Sequence, residues 1–248
     1  MLISVHLPKT AGSSLLSSLE DHFGSKLLRD YEDFPINKPV YERNRYAFQA
    51  SLDNAEKNFD GIECIHGHFL PAKYLLLSNR RNVEFVTWMR DPVERVLSHY
   101  YFWRREYNPE NSPPLHKKIV EEDWSLERFC FSEELKDFYT QFLFAFPLEY
   151  FSFIGITEHY DEDFAFFSQH YLGTSLPPKR VNIGFEGKRY PIDEHMRWEL
   201  KVFHSRDVRL YERALEMRKQ RISKVEKAAH RLGKWLRSPW KRHRSDRE

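Results

Sequence analysis

The sequence predicts an α/β domain in which helices cover the faces of a central parallel sheet. Short apolar runs alternate with stretches of helical spacing, the pattern of parallel strands joined by crossover helices. Two motifs rich in small and charged residues fall where an apolar run ends and a helix begins, and ligands of such sheets sit beyond the carboxyl ends of the strands. At 248 residues and 41% hydrophobic content the chain can bury one sizeable core.

Leu2–Leu7 reads as a first strand, and Ser13–Phe23 as a helix with Leu15, Leu16 and Leu19 on one face. Residues 29–60 are polar and irregular, with Pro35 and Pro39. Gly61–Ile65 reads as a second strand, and the near-continuous apolar run Val83–Met89 as a third, buried on both faces. Pro92 opens a long helix through Tyr107, because a proline at the first helical position gives up no hydrogen bond. Residues 108–123 read as a Pro-rich loop, followed by helices at Ser125–Phe131 and Glu133–Phe146. Tyr150–Thr157 is a fourth strand and Asp161–Tyr171 a helix. After a long loop, Leu172–Pro191, helices at Ile192–His204 and Asp207–Leu232 close the chain.

No stretch reaches the roughly 20 apolar residues that a membrane-spanning helix needs. Met1–Val5 runs straight into a motif with no basic leader segment. Cys64 and Cys130 lie far apart outside any CxxC pattern, which excludes a disulfide framework or a zinc site built on them. A soluble, cytoplasmic protein is the expectation. The 16% aromatic content serves core packing first and can also line a sugar-binding cleft. Residues 217–248 hold 12 Lys/Arg against 3 Asp/Glu, a net of +9 in a chain of net +2, which leaves −7 on residues 1–216. The expected organisation is therefore a single domain over 1–216 followed by a basic helix and tail over 217–248. Such a tail is either a solvated end or a contact for an anionic membrane or polyanion; nucleic acid is not expected as a partner.

The segment His6-Leu7-Pro8-Lys9-Thr10-Ala11-Gly12-Ser13-Ser14 links the first strand to the first helix. Free backbone N–H groups at a helix start, with the helix dipole behind them, form an anion site. Gly12 and Ala11 allow close approach, Ser13 and Ser14 can cap the helix or donate to phosphate, and Lys9 adds a mobile positive charge. The other reading is an ordinary strand-to-helix turn with serine caps. In a Walker A loop the lysine follows the glycines; here it precedes them.

The third strand ends in Arg90-Asp91-Pro92, and Ser98 lies about two turns into the following helix. Arg90 is placed to clamp a phosphate; alternatively it pairs with Asp91 or Glu94. His66-Gly67-His68 follows the second strand, and residues two apart face one side of an extended chain. Neutral histidine suits proton abstraction from a hydroxyl. The same spacing also suits a metal, for which no third ligand is evident, or a structural pair bonded to backbone carbonyls. His6 and Tyr139-Thr140-Gln141 read as structural.

Taken together, these residues resemble the PAPS-dependent sulfotransferases (PAPS is 3′-phosphoadenosine 5′-phosphosulfate). The likeness is to the carbohydrate branch that holds the heparan sulfate 2-O-sulfotransferases and related bacterial enzymes. PKTAGSSL is similar to its 5′-phosphosulfate loop, RDPVERVLSHYYFWR to its 3′-phosphate segment, and the HGH at 66–68 to the motif that supplies its base. Phe153–Glu158 followed by Asp163-Phe164 is similar to a later strand–helix junction, so that islands of likeness cover residues 3–170. The resemblance implies a P-loop-NTPase-like three-layer sandwich and a carbohydrate hydroxyl as acceptor. Donor contacts would come from Lys9, the backbone of Thr10, Ala11, Gly12, Ser13 and Ser14, Arg90 and Ser98, with PAP (the desulfated donor) as product. It further implies His68 as general base, His66 as a second base or an orienting group, and Arg180 and Asn182 near the adenosine. No metal is expected. The two competing functions are a P-loop-type nucleotide kinase, against which the order of Lys9 and Gly12 argues, and a non-catalytic polyanion-binding protein, against which the HGH pair argues.

Overall fold

The computed structural model describes residues 1–179 and 189–236, with side chains described through residue 227. Five strands, β1 (Leu2–Val5), β2 (Leu27–Asp30), β3 (Cys64–Gly67), β4 (Glu84–Met89) and β5 (Phe151–Ile156), form one sheet in the order β2-β3-β1-β4-β5. Every neighbouring pair is parallel. The helices are α1 (Gly12–Phe23), α2 (Val40–Glu56), α3 (Pro92–Arg105), α4 (Pro114–Glu121), α5 (Leu126–Cys130), α6 (Phe138–Phe142), α7 (Tyr160–Tyr171), α8 (Glu194–Phe203) and α9 (Ser205–Leu236).

Strand alternation divides the core in two. Ile3 and Val5 of β1 join Phe85, Met89, Ile154 and Ile156 beneath α3, α6 and α9. Leu2 faces the other way, with Val86, Trp88 and Phe153, against Leu15 and Leu19 of α1 and Phe164 and Phe167 of α7. The architecture is thus the predicted α/β sandwich, a parallel sheet with helices on both faces.

Two polar contacts fix helix starts near the strand ends, one local and one from far along the chain. Asp91 caps α3 by accepting from the N–H groups of Val93 and Glu94 at 2.9 and 3.1 Å, with Pro92 at the first helical position. Asp207, in the first turn of α9, accepts from the Tyr139 and Thr140 N–H groups at 2.8 and 3.0 Å. It thereby fixes the start of α6.

The elements that differ from the sequence-based reading do so for identifiable reasons. Residues 29–60 contain the whole of α2, whose buried face is Arg43, Ala47, Ala50, Ser51 and Asn54; small and polar residues hide the helical period. β2 is four residues, LLRD, at the sheet edge. The second strand runs Cys64–Gly67 rather than 61–65. α4 lies in the expected loop and begins with Pro114 at its first position. The helix expected over 133–146 shrinks to α6 because Asp137 and Ala145 take left-handed backbone angles, φ 46° and 55°. The basic segment from 217 begins inside α9, where Arg218 and Arg221 contact Asp163 of α7 at 2.9 and 2.7 Å. Among the described residues, no helix is long and apolar enough to cross a membrane.

Candidate active site

The strand order sets out the site as a row. Tyr31 follows β2, His68 follows β3, Lys9 lies beyond β1, Arg90 follows β4 and Thr157 follows β5, all at the carboxyl edge of the sheet. With strands about 4.8 Å apart, the row spans roughly 19 Å. All five residues line one cavity of about 780 Å3, inside the usual range for ligand sites.

The loop between β1 and α1 is wound for an anion. Lys9 and Ala11 have φ of 71° and 69°, whereas Thr10 between them does not take positive φ. Alternating handedness turns successive N–H groups into one concavity, the geometry of an anion nest. Each non-glycine residue held this way costs roughly 1–3 kcal/mol, a cost found where the loop is used. Ala11 is the N-cap of α1, no side chain caps the helix, and its first turn carries no acidic residue. The N-cap position is thus not held by a serine, as the alternative reading of an ordinary capped turn would have it. Thr10 is buried, and its hydroxyl donates to the Leu7 carbonyl at 2.7 Å, so only its backbone serves the loop. Gly12 has a more specific purpose than loop flexibility: a Cβ there would lie 1.6 Å from Nε2 of His6, whose ring packs on the glycine. Ser13 is exposed, Ser14 is buried, and both line the cavity.

Lys9 reaches across the loop mouth, its Nζ 3.5 Å from the centroid of the Phe102 ring. Burial pushes its amine down to about 7, with repulsion from Arg105 and Arg90 adding to the effect. Arg90 is not held by its acidic neighbours. Asp91 is spent on the α3 cap, and Glu94 receives Arg197 at 2.7 Å and the Tyr190 N–H at 3.1 Å. The Arg90 backbone is fixed instead by Tyr139, whose hydroxyl accepts from its N–H at 3.0 Å and donates to its carbonyl at 2.7 Å. Ser98, nearly buried, lines the same cavity two turns along α3. Arg180 and Asn182 lie outside the described residues.

The two motif histidines separate by depth. Both rings lie against His6, with centroids at 5.2 Å for His66 and 4.1 Å for His68, so they do face one side. His66 is fully buried, bonds Ser4 Oγ through Nδ1 at 2.8 Å, and does not line the cavity. Burial holds it down to about 3, which leaves an inward neutral imidazole rather than a second base. His68 does line the cavity. Its Nδ1 lies 2.7 Å from the His6 carbonyl, which can only accept, so the proton is on Nδ1 and Nε2 of the neutral ring is the acceptor. Burial lowers its pKa to about 4, against the hydrogen bond to His6, which raises it. The unprotonated form therefore prevails at neutral pH.

His6 is the lining residue that sequence reasoning set aside. Its Nδ1 lies 3.0 Å from the Tyr31 hydroxyl, and its ring bridges the anion loop to His68. The signal for it is register: Val5 pairs with Gly67, so the residues that follow, His6 and His68, emerge side by side. Gly67 itself is required where β2 crowds in, since a Cβ would meet the Asp30 carbonyl oxygen at 1.6 Å. Among the described residues, no group of three or more His, Cys, Asp or Glu is placed to hold a metal ion.

No known family profile matches the sequence, and no curated protein matches it. Among solved structures the chain is similar to a sulfotransferase from Alicyclobacillus acidocaldarius, with 15% identity and a TM-score of 0.44 over 84% of this chain and 92% of that one. At that distance the reaction has to be argued from the residues of the site.

Proposed function

We propose that the protein is a sulfotransferase that moves a sulfuryl group from PAPS to an acceptor hydroxyl. The observation that carries this reading is the pairing, across neighbouring strand ends, of an anion nest bearing Lys9 with a neutral histidine whose Nε2 is left to accept a proton. Nest, lysine and arginine alone would serve many phosphate ligands. The adjacent base adds the means of activating a hydroxyl.

In this reading the loop backbone from Thr10 to Ser14 and Lys9 hold the phosphosulfate end of the donor. Arg90 and Ser98 take the 3′-phosphate, the group that separates PAPS from ATP. His68 Nε2 removes the proton as the acceptor oxygen bonds to sulfur, while the sulfur–oxygen bond to the phosphate breaks and its electron pair leaves with PAP. Sulfuryl transfer, like phosphoryl transfer, depends on alignment and on meeting charge as it develops. Lys9 and the loop amides meet the charge on the leaving phosphate as an oxyanion hole does. The carbohydrate nature of the acceptor rests on the motif resemblance alone.

Calorimetric titration with PAP, 5′-AMP and ATP, followed by a transfer assay from PAPS, tests the reading. Preferred binding of PAP, weakened about tenfold or more in Arg90→Ala, is expected from the loss of a charged hydrogen-bond pair. His68→Ala should keep PAP affinity and lose about 100-fold or more in turnover. Equal affinity for PAP and AMP, or magnesium-dependent ATP turnover instead, would sink it.

A further inference from the structure

The acceptor half of the cavity differs in character from the donor half. It lies beyond His68 toward β2, since β1 and β4 carry the anion groups. Its wall comes from the turn after β2 (Phe34, Pro35, Ile36), from Phe102 and Trp103 on α3, and from Pro113 before α4. The turn and α4 are joined, because the Asn37 side chain accepts from the Leu115 N–H at 3.2 Å.

Phe34 is the exceptional residue of that wall. It holds φ 44° and ψ 56°, a left-handed conformation that a bulky aromatic avoids, and half of its surface is exposed at 50%. The residues around it keep it there. Asp33 is bonded to Lys73 at 2.8 Å, and the Pro35 carbonyl accepts from Arg43 at 3.3 Å. A strained turn that holds an apolar ring out into a cavity mouth serves contact with something apolar.

Charge supports the same conclusion by its disposition. Lys73, the buried cation behind the turn, is enclosed by Asp30 and Asp33 at 2.7 and 2.8 Å. Arg43 donates to Gln141 at 2.5 Å and to the Pro35 carbonyl. His99, which also lines the cavity, is kept neutral chiefly by burial. Among the described residues, neither Lys73 nor Arg43 lines the cavity, and the turn supplies it only Phe34, Pro35, Ile36 and Asn37, so a carboxylate or sulfate of an acidic sugar chain would find no cation on the turn.

Resting on the sulfotransferase reading above, we infer that the acceptor is an alcohol or phenol carried on a compact, uncharged apolar body. That body packs on Phe34, Ile36 and Phe102 and delivers its hydroxyl to His68. Phe34 is then a specificity-determining residue with no part in donor binding.

The test uses the full chain with PAPS and three acceptors: 2-naphthol, cyclohexylmethanol and a glucuronate-containing oligosaccharide, with PAP affinity measured in parallel. Both neutral alcohols should be converted to sulfate esters in preference to the oligosaccharide. In Phe34→Ala the KM for 2-naphthol should rise about tenfold, the usual scale for removing an apolar contact, with kcat and PAP affinity essentially kept. PAP binding with transfer to the oligosaccharide alone, or to none of the three, overturns the inference and leaves the donor assignment standing. No PAP binding overturns both.

Discussion

The Nδ1 of His68 and the backbone carbonyl of His6 lie 2.7 Å apart, and this one contact fixes which ring nitrogen of His68 can take a proton. It also joins the end of β3 to the start of the anion loop. The same carbonyl precedes the turn whose windings at Lys9 and Ala11 form the nest. In the sulfotransferase reading proposed above, base strength and donor binding are therefore set in a single stretch of backbone.

The pH dependence of catalysis follows. In the free protein His68 is neutral above about 4 and Lys9 is charged below about 7, so kcat/KM should plateau between those limits. An acid limb near the ordinary histidine value of 6.5 would contradict the assignment. Binding of an anionic donor favours both cations, so both limbs of the kcat profile should move to higher pH than those of kcat/KM. Parallel pH series at saturating and limiting donor check this.

Replacing Lys9 should stabilise the fold while it disables the enzyme. Its amine falls from 10.5 unfolded to about 7 folded, chiefly through burial. Between those values the unfolded chain holds the extra proton, so this group's contribution to stability rises with pH through that window, and below it the charge is a full penalty. Lys9→Met at neutral pH should gain about 1 kcal/mol and raise Tm by roughly 2–4 °C. Transfer from PAPS should be lost. Differential scanning calorimetry beside the transfer assay separates the two effects.

Acid should unfold the protein early. Burial holds His66 near 3, His68 near 4 and His204 near 4, and His6 and His99 well below the ordinary value. As pH falls, the unfolded chain takes up these protons first, at about 6.5, and stability is lost from there down to the folded values. Each histidine contributes up to about 1.4 kcal/mol per pH unit. Asp207, raised by burial to about 6, acts in the opposite sense and offsets one of them. Urea unfolding along a pH series should show the midpoint dropping steeply as pH falls below about 6.5, apart from the rise above about 7 that belongs to Lys9.

Tyr139→Phe tests whether Arg90 is positioned from behind. The lost hydroxyl serves both the N–H and the carbonyl of Arg90. Its removal should cost about 1–3 kcal/mol of stability. A purely structural role would stop there; a positioning role predicts that PAP affinity falls several-fold while AMP affinity does not. Calorimetric titration of both nucleotides distinguishes the two.

The anion loop and the arginine segment could be read from sequence because their chemistry is local: a lysine, small residues and a helix start in one stretch, and Arg90 before Pro92. The strand run through Val83–Met89 was equally plain, being apolar on both faces. Legibility failed where the structure depends on pairing across the sheet. His6 gains its place only from the register of β1 against β3. Phe34 gains its place from the ion pair of its neighbour Asp33 with the distant Lys73 and from the hydrogen bond of Arg43 to Pro35. α2 escaped because helices that pack through alanine, serine and arginine leave no apolar period to find.

Asp207 carries one more consequence. It holds Tyr139, which in turn holds the backbone of Arg90, so the end of β4 is braced by a helix that lies more than a hundred residues later in the sequence. During synthesis the amino-terminal half emerges first, with its anion loop and its histidines, but without the brace that fixes the arginine. Arg90 is therefore braced only once α9 has joined the fold, and a protein cut short before α9 leaves the arginine unbraced.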